Sequence, residues 1–350
     1  MRSDIYELIA HANKVGLYPM MSTNGTILSS EAANKLKRAG MESITISLFG
    51  SNSESHDDFC GREGSWARAM AGIRNVASAG IPFQINMCAT RHNLDQLDDI
   101  ANVAKDIGAT GINIFDFVPI GRGKGHPELI LTPEERSGLV SHIIQCQLAD
   151  DNLVYRGIGL PQLLVEVEKT VAGKDQRHKF VRTCCGAGLH HCCIFYEGTV
   201  YPCALLQKGA GNVRENSFGE IWQKSDVFKV LRDHSKLAGN CKKCGYRELC
   251  GGARCQVFER TRSLTKEDSY CLYRNEELKR PPNAGGGEDG TCKYCPRDQL
   301  ATCEVCGYAL CEEHSLVCPI CQALLCHPDA RDCFFEHGCK HDDNEILPQS

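Results

Sequence analysis

The sequence predicts an α/β fold followed by two cysteine-rich regions, and three observations lead to this prediction. Helix-like and strand-like segments alternate over the first 150 residues, which is typical of a parallel sheet with helical crossovers. All but three of the 23 cysteines lie at position 184 or later. A Pro/Gly-rich stretch, Pro281 to Gly287, divides these cysteines into two arrays and has the composition of a linker.

The individual elements follow from hydrophobic periodicity and from the glycines that end helices. Apolar residues recur at helical spacing from Ile5 to Ala12, and Gly16 suits the end of that helix. The remaining predicted elements are, in order, strand 18–21, helix 30–38, strand 43–49, helix 67–79, strand 83–89, helix 94–107, strand 111–118 and helix 133–147. The pattern is looser from there to Phe180.

Composition limits the possible functions. The chain of 350 residues is 42% hydrophobic, has a net charge of -5, and contains neither a basic arm nor a long apolar run. We therefore expect no nucleic-acid partner and no membrane partner. The N-terminus is polar and has no signal core, which predicts a cytoplasmic protein with reduced thiols. Paired cysteines in that compartment bind metal more often than they form disulfides.

The loops that follow the predicted strands are rich in Gly, Ser and Asn. Ligands bind at the carboxyl ends of strands in parallel sheets, so these loops are candidate binding segments. They span residues 22–25, 47–50, 90–93 and 119–123. Turns and helix N-caps require the same residue types, so one such loop is weak evidence. Four loops at one sheet edge favour a ligand site.

Residues 22–25 (Ser-Thr-Asn-Gly), 46–50 and 56–65 resemble the radical S-adenosylmethionine (SAM) enzymes. They resemble in particular the branch with a SPASM domain, which includes peptide maturases and haem-pathway decarboxylases. The resemblance implies a partial TIM-like (β/α) barrel that lacks its first units. In that family the strand ends hold the methionine and ribose of the cofactor. By the same resemblance, Asn24, Gly25 and Ser47 lie at the cofactor edge.

The sequence lacks two motifs that are typical of this family. It contains neither the Cys-x3-Cys-x2-Cys motif, which binds the cluster that cleaves the cofactor, nor the Gly-Gly-Glu-Pro motif. Both belong upstream of the helix that opens at Asp4, so we expect the chain to begin inside the barrel. Two explanations stay open: the true start lies further upstream, or the gene is clipped or has lost the chemistry.

The cysteines between 184 and 271 favour iron-sulfur clusters, because so many thiols occur there with so few histidines to serve as zinc-finger ligands. Their order, with Cys-Gly-Ala-Gly, Gly-x4-Cys, Cys-x2-Cys-x5-Cys and a last cysteine, is highly similar to the SPASM domain. The resemblance implies two auxiliary 4Fe-4S clusters. One is held by Cys241, Cys244, Cys250 and Cys271, and the other begins with Cys185 and Cys203.

The remaining ligands of this other cluster stay open. The family places a further cysteine soon after Cys250, and Cys255 comes one residue late for that position. Either Cys255 joins the cluster or one iron is open, with Cys184, Cys192 and Cys193 as further candidates. A fully ligated electron-transfer cluster is favoured over an open one. The alternative for the whole array is a zinc ribbon.

The tail is predicted to be a zinc-binding module with two tetrahedral sites, because eight ligands recur there at paired spacing. They are Cys292, Cys295, Cys303, Cys306, Cys311, His314, Cys318 and Cys321. The intervals resemble a B-box or another cross-brace finger, which implies a protein partner; Cys and His residues from Cys326 to His341 are weaker candidates. The predicted domains are thus a barrel over 1–150, a SPASM domain over 151–280, a linker over 281–290 and a zinc module over 291–342.

These observations predict a radical SAM/SPASM iron-sulfur protein whose complete form oxidatively modifies a peptide or tetrapyrrole-type substrate, with SAM and an external electron donor. The alternative is a non-catalytic electron-transfer or scaffold protein that docks a partner through its zinc tail. A zinc-only interaction protein is a third possibility. Cys60, Cys88 and Cys146 are interpreted as packed or surface thiols, and His56-Asp57 as an exposed loop or capping pair.

Overall fold

The computed structural model describes residues 2–170, 185–274 and 278, with four short segments near the C-terminus. The chain divides into two compact units, of which one comprises Met1–Ala10 with Pro19–Leu278 and the other His11–Tyr18 with Lys279–Ser350. Within the described residues, no helix is both long enough and apolar enough to span a bilayer.

Five parallel strands form the central sheet of the first unit in the order β1-β2-β3-β4-β5, which confirms the predicted α/β class. The strands are β1 (Met20–Thr23), β2 (Ser43–Ser47), β3 (Phe83–Ala89), β4 (Gly111–Asp116) and β5 (Val154–Ile158). The helices are α1 (Ile5–Lys14), α2 (Ser30–Arg38), α3 (Ser53–Cys60), α4 (Ser65–Ser78), α5 (Leu97–Asp106), α6 (Pro133–Ala149) and α7 (Gln162–Thr170).

The two faces of the sheet differ because side chains alternate along each strand. One face packs under the helices and includes Ile44, Ile85 and Ile112, all fully buried. The opposite face, here called the polar face, carries Ser22, Thr45, Ser47, Gln84, Asn86, Asn113 and Arg156. In the strand register, Ser22 pairs with Thr45 and Asn86 with Asn113.

Three elements of the region before residue 171, namely α3, β5 and α7, were not predicted. The stretch after residue 147 was expected to be irregular, whereas β5 and α7 lie there. Gly157 weakened the strand signal, but a Cβ at that position would lie 2.9 Å from Leu163 Cδ2, so glycine lets α7 pack on β5. Helix α3 was also missed, although Asn52 caps its start and Gly61, with φ at +61°, ends it.

The cysteine-rich part of the first unit consists of short elements joined by loops. A small antiparallel sheet contains β6 (Cys193–Ile194), β7 (Thr199–Tyr201) and β8 (Gly211–Asn212). It is followed by the helices α8 (Phe218–Lys224), α9 (Asp226–Arg232), α10 (Gly239–Lys243), α11 (Arg247–Cys250) and α12 (Arg254–Thr261).

The described part of the second unit comprises His11–Tyr18, which includes the end of α1, and four short strands. Strand β9 (Ala301–Thr302) pairs antiparallel with β10 (Ala309–Leu310), and β11 (Ser315–Val317) pairs antiparallel with β12 (Leu324–Cys326). All eight predicted zinc ligands lie outside the described residues.

Candidate functional site

Hydrogen bonds join the side chains of the polar face across neighbouring strands. Thr45 Oγ1 donates to Ser22 Oγ at 2.9 Å, and Asn86 Nδ2 donates to Thr45 Oγ1 at 3.1 Å. Asn113 Nδ2 donates to Asn86 Oδ1 at 2.9 Å and to Gln84 Oε1 at 3.0 Å. Sequence reasoning did not select these amides, although the alternation of polar and apolar residues along β3 indicates them. The polar face thus presents hydroxyls and amides suited to a polar ligand.

The predicted cofactor residues lie at the carboxyl edge of the sheet. Asn24 Oδ1 accepts a hydrogen bond from the Thr26 backbone N–H at 3.1 Å and so shapes the turn after β1. Gly25 is buried with φ at +75°, and a Cβ there would lie 3.0 Å from Ile46 Cγ2. Ser47 ends β2 on the polar face, opposite Asn86. Contact of these residues with SAM stays a prediction.

The side chains of His56 and Asp57, both on α3, accept hydrogen bonds from backbone N–H groups of neighbouring segments. His56 is buried, and its Nδ1 accepts a hydrogen bond from the Phe49 backbone N–H at 3.2 Å, so the prediction of exposure was wrong for this residue. Asp57 accepts a hydrogen bond from the Trp66 backbone N–H at 2.7 Å, which confirms a capping function. Backbone donors, with Trp66 foremost, lower the pKa of Asp57.

Cys185, Cys203 and Cys255, here called the first thiol site, share one apolar cluster. Cys255 lies on α12 with only 5% of its surface exposed, and Cys185 and Cys203 pack against the same cluster. Burial raises the pKa of the Cys255 thiol, and the neighbouring Cys185 and Cys203 thiols raise it further. The structure therefore brings Cys255 to the two cysteines that the SPASM resemblance selected.

Cys193 is the described candidate for a fourth thiol at this site. Burial raises the pKa of Cys203, and the thiols of Cys185 and then Cys193 contribute further. Cys192, its neighbour, instead packs against the cluster that contains Val200. Strand alternation explains the difference, because adjacent residues point to opposite sides. Cys184 lies outside the described residues.

The second thiol site consists of Cys241, Cys244, Cys250 and Cys271, which line a single cavity. The Asp268 backbone N–H donates to Cys241 Sγ at 3.4 Å. The backbone N–H groups of Gly252 and Tyr273 lower the pKa of the Cys250 and Cys271 thiols and so oppose the effect of burial. Burial raises the pKa of Cys271 to about 11 and that of Cys250 well above its usual value, so metal binding would have to displace protons.

A buried guanidinium lies beside this second site. Arg254 is 5% exposed, and its Nη1 donates to the backbone carbonyls of Lys266 at 2.8 Å and Leu264 at 3.2 Å. Its Nη2 approaches Cys241 Sγ at 4.0 Å. Among the residues that the structure describes, no carboxylate forms an ion pair with Arg254. A buried cation requires a compensating negative charge, which an anionic iron-sulfur cluster would provide.

Zinc sites and iron-sulfur clusters require different separations of their ligand sulfurs. In a tetrahedral zinc site, bonds of about 2.3 Å place two thiolate sulfurs about 3.8 Å apart. Among the described residues, no three thiols of either site lie within 4.8 Å of one another. Cluster ligands bind irons at different corners and lie further apart. Neither thiol site therefore places three described thiols close enough to share one zinc ion, and the assignment of the sites to 4Fe-4S clusters stays a prediction.

Buried carboxylates connect both thiol sites to the barrel. Asp116, at the end of β4, forms an ion pair with Arg136 of α6 at 2.8 Å and accepts a hydrogen bond from Gln256 Nε2 of α12 at 2.9 Å. Asp268 Oδ2 accepts hydrogen bonds from Gln162 Nε2 of α7 at 3.0 Å and from the Ala253 backbone N–H at 2.9 Å. Sequence reasoning did not identify these connections, because two of the hydrogen bonds join residues more than 100 positions apart in the chain.

Comparisons with known proteins agree with this arrangement. The radical SAM superfamily profile matches residues 1–104, and the SPASM profile, described as an iron-sulfur cluster-binding domain, matches residues 184–245. The chain is 32% identical to an AdoMet-dependent heme synthase of Methanosarcina barkeri over 78% of its own length and 79% of that protein. It is 32% identical to the mycofactocin maturase MftC of Mycolicibacterium smegmatis over 78% of its own length and 68% of that protein.

A more distant relative and the solved structures extend the comparison. The chain is 27% identical to the PqqA peptide cyclase of Rhizobium meliloti over 77% of its own length and 71% of that protein. The fold matches Streptococcus suis SuiB bound to S-adenosylmethionine with a TM-score of 0.59 and 16% identity, over 77% of this chain and 62% of that one. At this identity the structural match supports the fold alone.

Proposed function

Because the chain belongs to the radical SAM superfamily and carries a SPASM domain, we propose that it acts in the oxidative modification of a tetrapyrrole-type substrate. The observation that carries the proposal is its similarity to heme synthases over more than three quarters of the chain. The polar face supports it, because amides and hydroxyls at a sheet edge can bind the polar groups of SAM and of a substrate.

In this proposal the thiol sites hold the two auxiliary clusters. Cys241, Cys244, Cys250 and Cys271 would hold one cluster, and Cys185, Cys203, Cys255 and Cys193 the other. A 4Fe-4S cluster, when bound, supplies one-electron chemistry. The backbone N–H groups at the second site stabilise thiolate charge, and the apolar surroundings of the first site exclude water. Asn24, Gly25 and Ser47 are proposed to contact SAM.

No residue of this sequence is assigned to an initiating cluster, because the Cys-x3-Cys-x2-Cys motif is absent from it. We expect this chain, incubated with SAM and a reductant, to release no 5′-deoxyadenosine. Auxiliary-cluster loading and substrate binding do not depend on that motif. They are therefore the measurements that test the proposal on the chain as it stands.

The test is anaerobic reconstitution followed by titration with a metal-free porphyrin that bears carboxylate side chains. We expect about eight iron and eight sulfide ions per chain, because each 4Fe-4S cluster contains four of each. We also expect a saturable shift of the porphyrin absorbance. Ser47→Phe should weaken porphyrin binding at unchanged iron content, whereas Ser78→Phe, on the exposed end of α4, should not. An absorbance change that does not saturate would refute the tetrapyrrole proposal.

Peptide modification is the second candidate, and similarity to a mycofactocin maturase and a PqqA peptide cyclase favours it. Saturable binding of a short Gly-rich or Cys-rich peptide, with none of the porphyrin, would support this candidate. Both candidates require an external electron donor.

The third candidate is a non-catalytic iron-sulfur electron-transfer or scaffold protein that uses the clusters of the two thiol sites. It predicts redox-active clusters in a chain that binds neither porphyrin, peptide nor SAM. In every case the tail is proposed to bind zinc and a protein partner through the eight ligands from Cys292 to Cys321. Zinc analysis of the anaerobic protein tests this point, because replacement of these eight ligands by serine should remove about two zinc ions per chain.

A further inference from the structure

Three different metal-ligand side chains converge between α5 and α6, and none of them belongs to either thiol site. Asp98 lies in the first turn of α5, and His142 and Cys146 lie one turn apart on α6. His142 Nε2 is 2.7 Å from Asp98 Oδ1 and 3.5 Å from Cys146 Sγ. Cys146 Sγ is 3.9 Å from Asp98 Oδ1. This is the one such group of three within 4.8 Å among the described residues.

These separations are close to those of a tetrahedral zinc site. Zinc lies about 2.3 Å from a thiolate and about 2.0 Å from an imidazole nitrogen or carboxylate oxygen, which places the sulfur about 3.5 Å from the other two ligand atoms. The nitrogen and the oxygen then lie about 3.3 Å apart. The sulfur to nitrogen distance of 3.5 Å in the structure matches this value. A movement of roughly half an ångström by the exposed Asp98 side chain would adjust the other two distances.

A hydrogen-bond relay explains the arrangement less well. In a Cys-His-Asp relay, one ring nitrogen of the histidine faces the thiol and the other faces the carboxylate. Here Cys146 Sγ and Asp98 Oδ1 both approach Nε2 of His142. One nitrogen carries at most one hydrogen, and if Asp98 Oδ1 receives it the Cys146 thiol faces Asp98 Oδ1 rather than the ring, so no relay passes through the imidazole. A metal ion between the three atoms would satisfy all of them at once.

We infer that Asp98, His142 and Cys146 bind one divalent ion of the zinc class, which joins α5 to α6 and keeps a fourth position open to solvent. A surface depression bordered by Asp98, Cys146, Lys105 and Asp150 gives access to that position. Lys105 Nζ is 2.6 Å from Asp150 Oδ2, so its charge is already compensated. Mixed nitrogen, sulfur and oxygen donors suit Zn²⁺, whereas Mg²⁺ prefers oxygen donors alone.

The chain contains a matched control for this inference. On α3, His56 and Cys60 have the same four-residue spacing, and Cys60 Sγ is likewise 3.5 Å from His56 Nε2. No third ligand completes that pair in the described part of the chain. Among the described residues, such a thiol and imidazole pair lies on α3 and on α6, and the pair on α6 has a carboxylate oxygen within 4.8 Å of both ligand atoms.

The experiment measures how Zn²⁺ protects each cysteine from alkylation. The full chain, with its clusters reconstituted and its tail saturated with zinc, is treated with iodoacetamide over a range of buffered free Zn²⁺, and each cysteine is followed by peptide mass spectrometry. Cys146 should react about tenfold more slowly once free Zn²⁺ is about ten times the dissociation constant, because only the unbound fraction reacts. Cys60 should keep its rate, and Mg²⁺ should protect neither thiol.

Asp98→Asn and His142→Asn should move the protection of Cys146 to about tenfold higher Zn²⁺ or more, since even substitutions outside the ligand shell cost that much. Because Asp98 is exposed and His142 partly exposed, both variants should retain the circular dichroism spectrum of the parent chain. Equal protection of Cys60 and Cys146 would overturn the inference. So would the absence of protection up to about 0.1 mM free Zn²⁺, the weak end of specific binding.

Discussion

At the first thiol site Cys255 lies among Val118, Leu206 and Phe258, whereas at the second site Cys241 lies beside the guanidinium of Arg254. Apolar surroundings disfavour additional negative charge, and a nearby cation favours it. A cluster at the second site should therefore have the higher reduction potential. Because the surroundings of a cluster set its reduction potential, electrons should move from a cluster at the first thiol site to one at the second.

The carboxylates that connect each thiol site to the barrel also differ in the charge of their hydrogen-bond donors. Asp116, which holds Gln256 next to Cys255, is paired with the buried cation Arg136, whose guanidinium also stacks on Tyr270 at 4.3 Å. Asp268 accepts its described hydrogen bonds from neutral donors alone. The first site therefore depends on a buried ion pair and the second on a hydrogen-bond network. Substitutions should affect the two sites by different amounts.

The largest expected effect is the loss of one cluster. Cys271→Ser removes a thiol of the second site, so the reconstituted chain should lose about four of its roughly eight iron ions. Cys192→Ser is the matched control, because Cys192 packs against Val200 rather than with the first thiol site. Iron and sulfide analysis measures both variants. An equal loss of iron in the two variants would contradict the assignment of the sites.

The second-largest effect is a loss of stability when the buried Asp116–Arg136 ion pair near the first thiol site is broken. Asp116→Ala leaves Arg136, with 2% of its side chain exposed, as an unpaired buried charge. Removal of one partner of such a pair costs about 3 to 5 kcal/mol. Urea unfolding should show this loss as a lower midpoint at an unchanged slope. Glu31→Gln, in an exposed ion pair with Lys35, should leave the midpoint unchanged. Equal midpoints for both variants would show that the buried pair is not needed.

Much of this fold was predictable, because its signals are local. Helices such as Ser30–Arg38 and strands such as Phe83–Ala89 follow from periodicity and from terminal glycines. Strand β5 was missed because glycine at position 157 interrupts a short pattern, and the reason for that glycine is the approach of Leu163 from another element. A residue that is required by packing between two elements, such as Gly157, is not indicated by the sequence pattern around it.

The candidate sites were predictable to a different degree. The spacing of Cys241, Cys244 and Cys250 is local, and the structure places these thiols with Cys271 around one cavity. Arg254 could not be selected from the sequence, because its function depends on burial and on the position of Cys241 Sγ. The same limit explains why Cys146 was interpreted as a packed or surface thiol. Its two neighbours become apparent only when α5 lies beside α6.

A smaller loss of stability is expected when the hydrogen bonds of Asp268, near the second thiol site, are weakened. The Asp268 carboxylate accepts three hydrogen bonds through two oxygens, and Asn offers one oxygen, so Asp268→Asn should cost about 1 to 3 kcal/mol. Urea unfolding should place this variant between the parent chain and Asp116→Ala. Asp226→Asn, on an exposed carboxylate 3.8 Å from Lys229, is the control and should have no effect. A larger loss for Asp268→Asn than for Asp116→Ala would reverse the comparison between the sites.

The smallest effect tests the redox difference itself. Arg254→Met removes the cation beside Cys241, and a charge-assisted contact of about 1.5 kcal/mol corresponds to roughly 60 mV for a one-electron couple. The midpoint potential of the second cluster should fall by that amount, and Arg254→Lys, which keeps the charge, should produce a smaller shift. Redox titration followed by electron paramagnetic resonance separates the two clusters, with Arg262→Met on the surface as control. Because Arg254 precedes Cys255 in the chain, an equal shift of both clusters would mean that it acts through the backbone of α12 rather than through its charge.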